Sequence, residues 1–507
     1  MTRTLLQQPT FDGDPHTMKH INAILLALLL SNAAHAQTGN YSLNASSALK
    51  VVNVGPDDEM LVVERRFGFD SAYVELLQAE ADWTSTALAS YRFNAGLYFL
   101  FDAARLTSGT LVSGLFPTPG ASSLLLLNDD GSIAWSKTIG GMEGSQRRFP
   151  KVFAEGDAFV AYSNTDGFFS DLFYRLEGDA GGTTWSAMEI STNDDAPQRI
   201  YEGVATGTAG EHILVGARTA FGEAQILITR INSSGVVWMK QYDLNSPETQ
   251  FEEAVDAIKL SNGDFACVMT ARETATTTAA FVMRFMNDGT PVWTTKLSEG
   301  SGLFGSALTE LSDGSILVAA SAATQPRVIR LAANGDLMWA TACTTCFGGL
   351  GSFVRTGSGA LIGHNGGTIF EFTEEGIACD FTTTNAVSAA PYAPVVTALV
   401  ASSTPVTLTA GDVPMFTRVP VNALTQGCVL SSVQERAGTT DLQAWPTPTR
   451  DIVRLAGVGS GEPFVLRAMD GRTISTGSYR DGIDLRDLPS GMYVVEILKI
   501  SARVMRE

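Results

Sequence analysis

The sequence predicts an all-β chain: a seven-bladed β-propeller, then an extended β segment, then a small C-terminal β-sandwich. Three observations predict it. A unit of about fifty residues recurs through residues 48–384, marked by Trp83, Trp135, Trp185, Trp238, Trp293 and Trp339. Within each unit, runs of Ile, Val, Leu and Phe are separated by Gly-, Asn- and Asp-bearing turns, the signature of hairpins. Finally, apolar residues make up 45% of the 507 and charged residues only 17%, so the chain can bury a large core.

Residues 1–36 read as an export segment. The stretch from Met18 has a short basic start (Lys19), an apolar run from Ile21 to Leu30, and Ala34-His35-Ala36 as a cleavage pattern. That run is too short to span a bilayer. Residues 1–17 are polar, so Met18 is the expected start and Gln37 the first mature residue. No other apolar run is long enough for a membrane span.

The repeat occupies residues 37–384. A first hairpin enters an apolar strand after a Gly or Asp turn ("NGDFACVMTAR" at 262, "DGSILVAASAA" at 313). A second hairpin turns at Asn-Asp-Gly or a relative and leads to the Trp. Counting a loose first copy from Asp57 and a degenerate last one around "GALIGHNGGTIFEF" gives seven copies, four strands each. The strands are almost continuously apolar, which suits sheets covered on both faces. One blade cannot cover both its faces, but a closed ring can. The recurring Trp is then a filler between neighbouring blades. The Gly-x-x-x-Trp spacing at Gly131/Trp135, Gly289/Trp293 and Gly335/Trp339 resembles the tryptophan-docking repeats of quinone-dependent alcohol dehydrogenases, without their quinone and calcium pattern. The whole repeat resembles uncharacterised exported bacterial propeller repeats.

Candidate chemistry is sparse. The mature chain keeps two histidines, His212 and His364, so a three-His metal site is excluded and a Ser-His-Asp arrangement has two candidate bases. Both fall on second strands and could face a shared channel, or be satisfied by neighbours. Arg175, Arg230, Arg284 and Arg330 recur on third strands, either as an anion-binding set or as stems lying on apolar surface. "NDDG" at 128 and "NDG" at 287 suit turns better than calcium, which needs a longer acidic loop. Cys343 and Cys346 form a Cys-x-x-Cys read as a static disulfide, against a redox pair or half a zinc site. Cys379 and Cys428 are available for a second bridge, and Cys267 reads as a buried small residue. No metal or other cofactor is expected. The second-to-third-strand loops Ala104–Ser123 and Ala271–Ala280 are the expected binding segments. A net charge of −19 disfavours nucleic acid as a partner.

Residues 385–440 are rich in Thr, Ser, Ala and Val and read as an extended β segment, on the propeller or leading from it, ending in a polar linker. Residues 441–507 carry Trp445-Pro446-Thr447-Pro448, then Asp470-Gly471-Arg472, then Ile483-Asp484-Leu485 through Leu488-Pro489-Ser490-Gly491-Met492-Tyr493. These motifs closely resemble the type A C-terminal sorting domain of type IX secretion cargo. Thr447 replaces the usual Asn, and the basic end holds Arg503 and Arg506. The resemblance implies export through the type IX secretion machinery, removal of the tail, and an extracellular or outer-surface location. The expected function is non-catalytic binding or adhesion, with a glycan or protein ligand. The alternative is an extracellular propeller enzyme, a quinone-type oxidoreductase or one that cleaves polysaccharide.

Overall fold

The computed structural model describes the strands between Thr38 and Arg506 with most turns from 106 to 407 and from 461 to 489. Residues 1–37, 431–443 and several connecting loops lie outside the described residues, as do the expected cleavage site, Trp83, Cys379, Pro446, Pro448 and the Asp470-Gly471-Arg472 turn. The chain divides into two compact units, residues 1–430 and 431–507. Among the described residues no helix is long and apolar enough to cross a membrane.

The first unit is a β-propeller of seven antiparallel sheets. The innermost strands are Leu49–Asn53, Phe99–Leu106, Arg147–Glu155, Gln198–Ala205, Glu252–Lys259, Phe304–Glu310 and Ser352–Arg355, which open blades 1 to 7. Each touches the next and the seventh touches the first, so the ring is closed. In blade 4 the chain continues outward through His212–Ala220, Glu223–Asn232 and Gly235–Asp243. Second and third strands are buried on both faces, as in Phe265–Arg272 and Thr278–Phe285 of blade 5. Their side chains fill continuous cores between blades: Ile213, Val215, Ile226 and Ile228 of blade 4 pack with Cys267, Met269, Phe281 and Met283 of blade 5. This accounts for the unbroken apolar runs in the sequence.

Each sheet has five strands, one more than the repeat encodes. In blades 1 to 6 the repeat supplies four. Blade 7 takes only three from it, and the N-terminal strand Thr38–Ser42 pairs with Thr368–Phe372 as its fourth. The fifth strands come from the segment expected to be extended. Phe381–Thr384 pairs on blade 6, Ser388–Tyr392 on blade 5, Val395–Leu399 on blade 4, Ala401–Val406 on blade 3, Thr409–Asp412 on blade 2, Phe416–Val419 on blade 1 and Thr425–Leu430 on blade 7. Every one runs antiparallel to the strand it covers. The segment is therefore a belt that runs round the ring against blade order.

Sheet twist makes this path possible. Neighbouring strands rotate by about 20–25°, so a fifth strand is turned roughly 90° from the innermost one and lies along the circumference. Leu399 and Ala401 end and begin strands of the same sense on adjacent blades with only Val400 between them. A chain that had to climb back along each blade could not do this.

The second unit packs a three-stranded sheet (Ala444–Trp445, Ile452–Leu455, Ile483–Asp484) with a four-stranded one (Pro463–Ala468, Thr473–Ser478, Gly491–Ile497, Ile500–Arg506). Val453, Leu466, Leu485, Tyr493 and Val495 form its core.

Candidate functional site

The recurring Arg and Trp are the first candidates, and the structure spends them on blade-to-blade latches. Arg230 lies directly across the sheet from Trp238, Arg284 from Trp293, and Arg330 from Trp339. A bulge follows each Arg and aims the pair at the next blade. The Trp238 indole N–H donates to the Asn287 carbonyl at 3.0 Å, and Arg230 Nη1 donates to the same oxygen at 3.4 Å. Trp293 and Arg284 converge likewise on the Ala333 carbonyl, at 3.0 and 3.4 Å. The other side of each guanidinium holds a carboxylate of its own blade: Glu211, Asp264 or Asp313. These arginines are partnered clamps, not a free anion-binding set.

Arg175 does not share this position. It faces Tyr162 across the sheet, while Trp185 faces Gly178. Arg175 is 2% exposed, is paired with Glu177, and donates from Nη2 to the Gly210 carbonyl of blade 4 at 3.1 Å. Here the joint between blades 3 and 4 is made by a different cluster. His212 is fully buried, with Nδ1 2.9 Å from the Tyr162 hydroxyl, Nε2 3.2 Å from Glu155, and its ring stacked 4.0 Å from Phe153. Burial first, then the charges of Arg175 and Lys151, lower its pKa to about 3, so the imidazole is neutral.

His364 sits elsewhere. It is in the second strand of blade 7, with Nε2 2.8 Å from Ser352 Oγ. His212 opens its strand at the first-to-second turn, whereas His364 lies near the far end of its own, Leu361–Asn365. Three blades apart and at opposite ends, they share no channel mouth.

The remaining sequence candidates resolve as follows. The Asn128–Gly131 and Asn287–Gly289 turns close with backbone bonds from Gly131 to Asn128 and from Gly289 to Met286, and their Asp side chains bind backbone N–H of Ser132 and Thr290. They are turns, as their length requires. Cys343 and Cys346 are disulfide-bonded, Cys267 is a buried free thiol, and the backbone of Cys428 lies in the last belt strand. Ala104–Ser123 is not one loop: it contains the whole second strand Gly109–Leu115 of blade 2. Ala271–Ala280 shrinks to a short turn between Arg272 and Thr278, closed by Glu273 N–H on the Thr277 carbonyl at 2.9 Å. In the second unit Asp484 accepts two bonds from Arg486 Nε and Nη2, at 3.0 and 2.6 Å, which hold its pKa at about 2. Leu488 N–H closes a turn on Leu485, and the Tyr493 hydroxyl donates to the Pro489 carbonyl at 2.6 Å. Trp445 pairs through its backbone with Arg454, and Gly491 begins a strand of the larger sheet.

The wall of the axial channel carries the residues sequence reasoning missed. In blades 2 to 6 the innermost strand has a bulge at one common place, beside Asp102, Lys151, Glu202, Asp256 and Ala307. A bulge leaves an extra residue unpaired and its side chain out of register. Some of these groups stitch the ring: Asp102 accepts from Val152 N–H at 3.0 Å and Asp256 from Leu308 N–H at 2.9 Å. Lys151 bridges Asp102 at 3.5 Å and Glu202.

Just outside this layer, Arg199, Glu253 and Phe304 occupy the same register position on blades 4, 5 and 6. Tyr201, the bulged residue of blade 4, interacts through its hydroxyl with both Arg199 and Glu253. Burial raises the Tyr201 pKa to about 12 and also raises that of Glu253, against the lowering effects of the Tyr201 hydroxyl and Arg199. Phe304 is 40% exposed. A guanidinium, a phenol and a carboxyl thus meet between blades 4 and 5, and an exposed aromatic ring stands at the equivalent position of blade 6. The only sequence signal was negative: first strands are where the copies differ most.

No family model and no curated relative matches the sequence. Solved structures with a similar chain trace include the β-propeller domain of Cps50 (Swd1) from Myceliophteria thermophila, at 9% identity and TM-score 0.43 over 66% of this chain and 99% of that one. Drosophila Plexin A, solved in complex with Semaphorin 1b, gives 8% identity and TM-score 0.39, covering 66% and 86%. A catalytically inactive virginiamycin B lyase from Staphylococcus aureus, solved with quinupristin, gives 12% identity and TM-score 0.30, covering 68% and 99%.

Proposed function

We propose that this is an exported, non-catalytic binding protein whose ligand, a glycan or a protein segment, docks at the channel mouth of blades 4 to 6. The observation that carries this reading is the cluster of Arg199, Tyr201 and Glu253, with the exposed Phe304 at the equivalent register position of the next blade, on strands that depart from the repeat. The repeated polar residues, by contrast, are occupied in latches. An aromatic face beside paired donors and acceptors on a rigid scaffold suits recognition of a polar ligand. A glycan array probed with the mature chain tests it. Binding is expected, with at least about tenfold loss in Tyr201→Ala and Phe304→Ala. Binding unchanged in both variants sinks the site.

The enzyme alternative has one specific support: Glu253 has a raised pKa and contacts a phenol, a pairing usable for proton transfer. Incubating polysaccharides with wild type, Tyr201→Phe and Glu253→Gln separates the two. Product formation lost in both variants establishes catalysis.

Export belongs to the second unit in this proposal. Its sequence motifs support a sorting role in type IX secretion, followed by release or attachment at the outer surface. Deleting residues 441–507 is expected to hold the protein in the periplasm, and undisturbed surface display would refute the role.

A further inference from the structure

The belt leaves one edge of itself unpaired: each of its strands is the last of its sheet. Natural sheet edges are normally protected by charges or prolines. This one has no charged residue from Phe381 to Gly411, in a chain of net charge −19. Prolines 391, 394 and 405 interrupt it, and between the last two runs Val395–Thr404 with neither proline nor charge.

That window is also where apolar surface collects. Val395, Val396 and Val400 are 53%, 38% and 70% exposed. On the same outer wall, each on the half of a fourth strand that the belt leaves uncovered, are Val237 of blade 4, Val292 of blade 5 and Met338 of blade 6, at 46%, 45% and 51%. Each of these three precedes a latch Trp, so the latch geometry holds it outward. Most of the exposed large apolar side chains among the described residues belong to this one arc of wall.

We infer that the arc of blades 4 to 6, with the belt strand Val395–Leu399 of blade 4 as its pairing edge, is a self-association surface that pairs with a second copy of this chain. Charge selects this occupant. Two molecules of the same strong negative charge repel, and they can approach closely only where neither presents a charge. The belt window is such a place. A two-fold contact sets a surface against itself, so it must be self-complementary: valine against valine, with backbone edges antiparallel, meets that condition. The belt strand already pairs antiparallel with Met239–Asp243 on its other side, so its backbone geometry is suited to extending the sheet across the axis. The resulting dimer would present two channel mouths, but the inference does not depend on what they bind.

Sedimentation velocity of the full mature chain, from micromolar to submillimolar concentration, tests it. A monomer–dimer equilibrium is expected, tightening as salt screens the mutual repulsion. Val396→Lys and Val400→Lys should each weaken dimerisation at least about tenfold, because a charge at an edge blocks strand addition. Both positions are solvent-exposed, and unchanged thermal unfolding confirms that the fold is intact. Thr107→Lys, on the far side of the ring, serves as a charge control and should leave the dimer unaltered. A wild type that stays monomeric at every concentration and salt overturns the inference. So does a dimer indifferent to both valine variants, or a surface that captures an added extended valine-rich peptide without associating with itself.

Discussion

The latches of blades 4 to 6 and the belt hold the same ring in opposite ways. A latch is made of side chains, joins each blade to the next in chain order, and recurs with the repeat: Arg, Trp and a turn carbonyl. The belt is held chiefly by backbone pairing and runs against chain order, with only scattered side-chain anchors such as Phe381 in a blade core, Tyr392 on Phe281 and Ser403 at Val236 N–H. A latch fails locally. The belt crosses every blade and ends on the sheet that also holds the N-terminal strand, so ring closure uses both ends of the first unit. Neighbour contacts can therefore form as each blade is made, but the circle is completed only by the last residues before the second unit.

The largest effect should come from separating the two devices. Ending the chain at Asp380 keeps every latch residue and removes all seven fifth strands, exposing seven fourth-strand edges. We expect a loss of more than about 5 kcal/mol, or outright aggregation, read by urea unfolding and size-exclusion chromatography. A truncated chain that unfolds at the wild-type midpoint would make the belt ornamental. The next effect belongs to a single latch. Trp238→Ala should cost about 3 kcal/mol, the low end for a tryptophan because the ring is half-exposed. Arg230→Ala should cost about 2 kcal/mol, since it leaves Glu211 buried without its partner. Because both groups bind the Asn287 carbonyl, the double variant should fall short of the sum by about 1 kcal/mol.

This contrast also explains what the chain revealed before its structure was known. The latch was visible because it needs a large aromatic residue, a turn glycine and a cation at fixed places, seen in the Trp spacing and in Arg230, Arg284 and Arg330. The belt was visible only as a change of composition. A strand exposed on both faces, as Val395–Ala398 is, has no alternation to read. The channel mouth was hidden for another reason. Arg199, Glu253 and Phe304 are far apart in sequence, and the bulge that delivers Tyr201 breaks the period that would have marked it. His212 and His364 were singled out as the two histidines beyond the expected cleavage site. Their placement at opposite ends needed strand boundaries, which composition does not supply. Arg175 looked like a fourth latch, but its distance to Trp185 is longer than in the others, and that slip was readable.

Where the latch is replaced, stability should acquire a pH dependence that the latches lack. His212 has a folded pKa of about 3 against 6.5 when free, so the unfolded chain binds the extra proton. Its contribution is complete above pH 6.5 and is lost as pH falls from there toward 3. Each unit in that window costs about 1.4 kcal/mol, or roughly 2 kcal/mol between pH 7 and pH 5. Most carboxylates titrate below this range, so the part of the slope between pH 7 and 5 that vanishes when His212 is replaced belongs to this histidine. In His212→Phe the slope should flatten, as measured by urea midpoints at the two pH values. An unchanged slope would mean that the ring titrates near its ordinary pKa and that the joint of blades 3 and 4 admits water.

The smallest effect separates a glycine kept for its turn from one kept for its latch. Gly263 and Gly289 both belong to hairpin turns of blade 5, with φ of +92° and +78°. A methyl group on either strains the backbone by about 1 kcal/mol, since left-handed conformations disfavour a Cβ. At Gly263 the methyl would meet nothing within 4 Å, so Gly263→Ala should cost that strain alone. At Gly289 it would lie 2.9 Å from the Trp238 ring and 2.9 Å from the Tyr242 hydroxyl, both of blade 4. That hydroxyl already donates to the Gly289 carbonyl, and Lys240 to Asp288 beside it. Gly289→Ala must therefore push back a whole face of the neighbouring blade and should cost about 1 kcal/mol more than Gly263→Ala. In a Trp238→Ala background the clash with the indole disappears and the difference should shrink. If the two alanine variants were equally stable, the turn would have room to move away from the tryptophan, and the latch would rest on its hydrogen bonds rather than on the fit of ring to glycine.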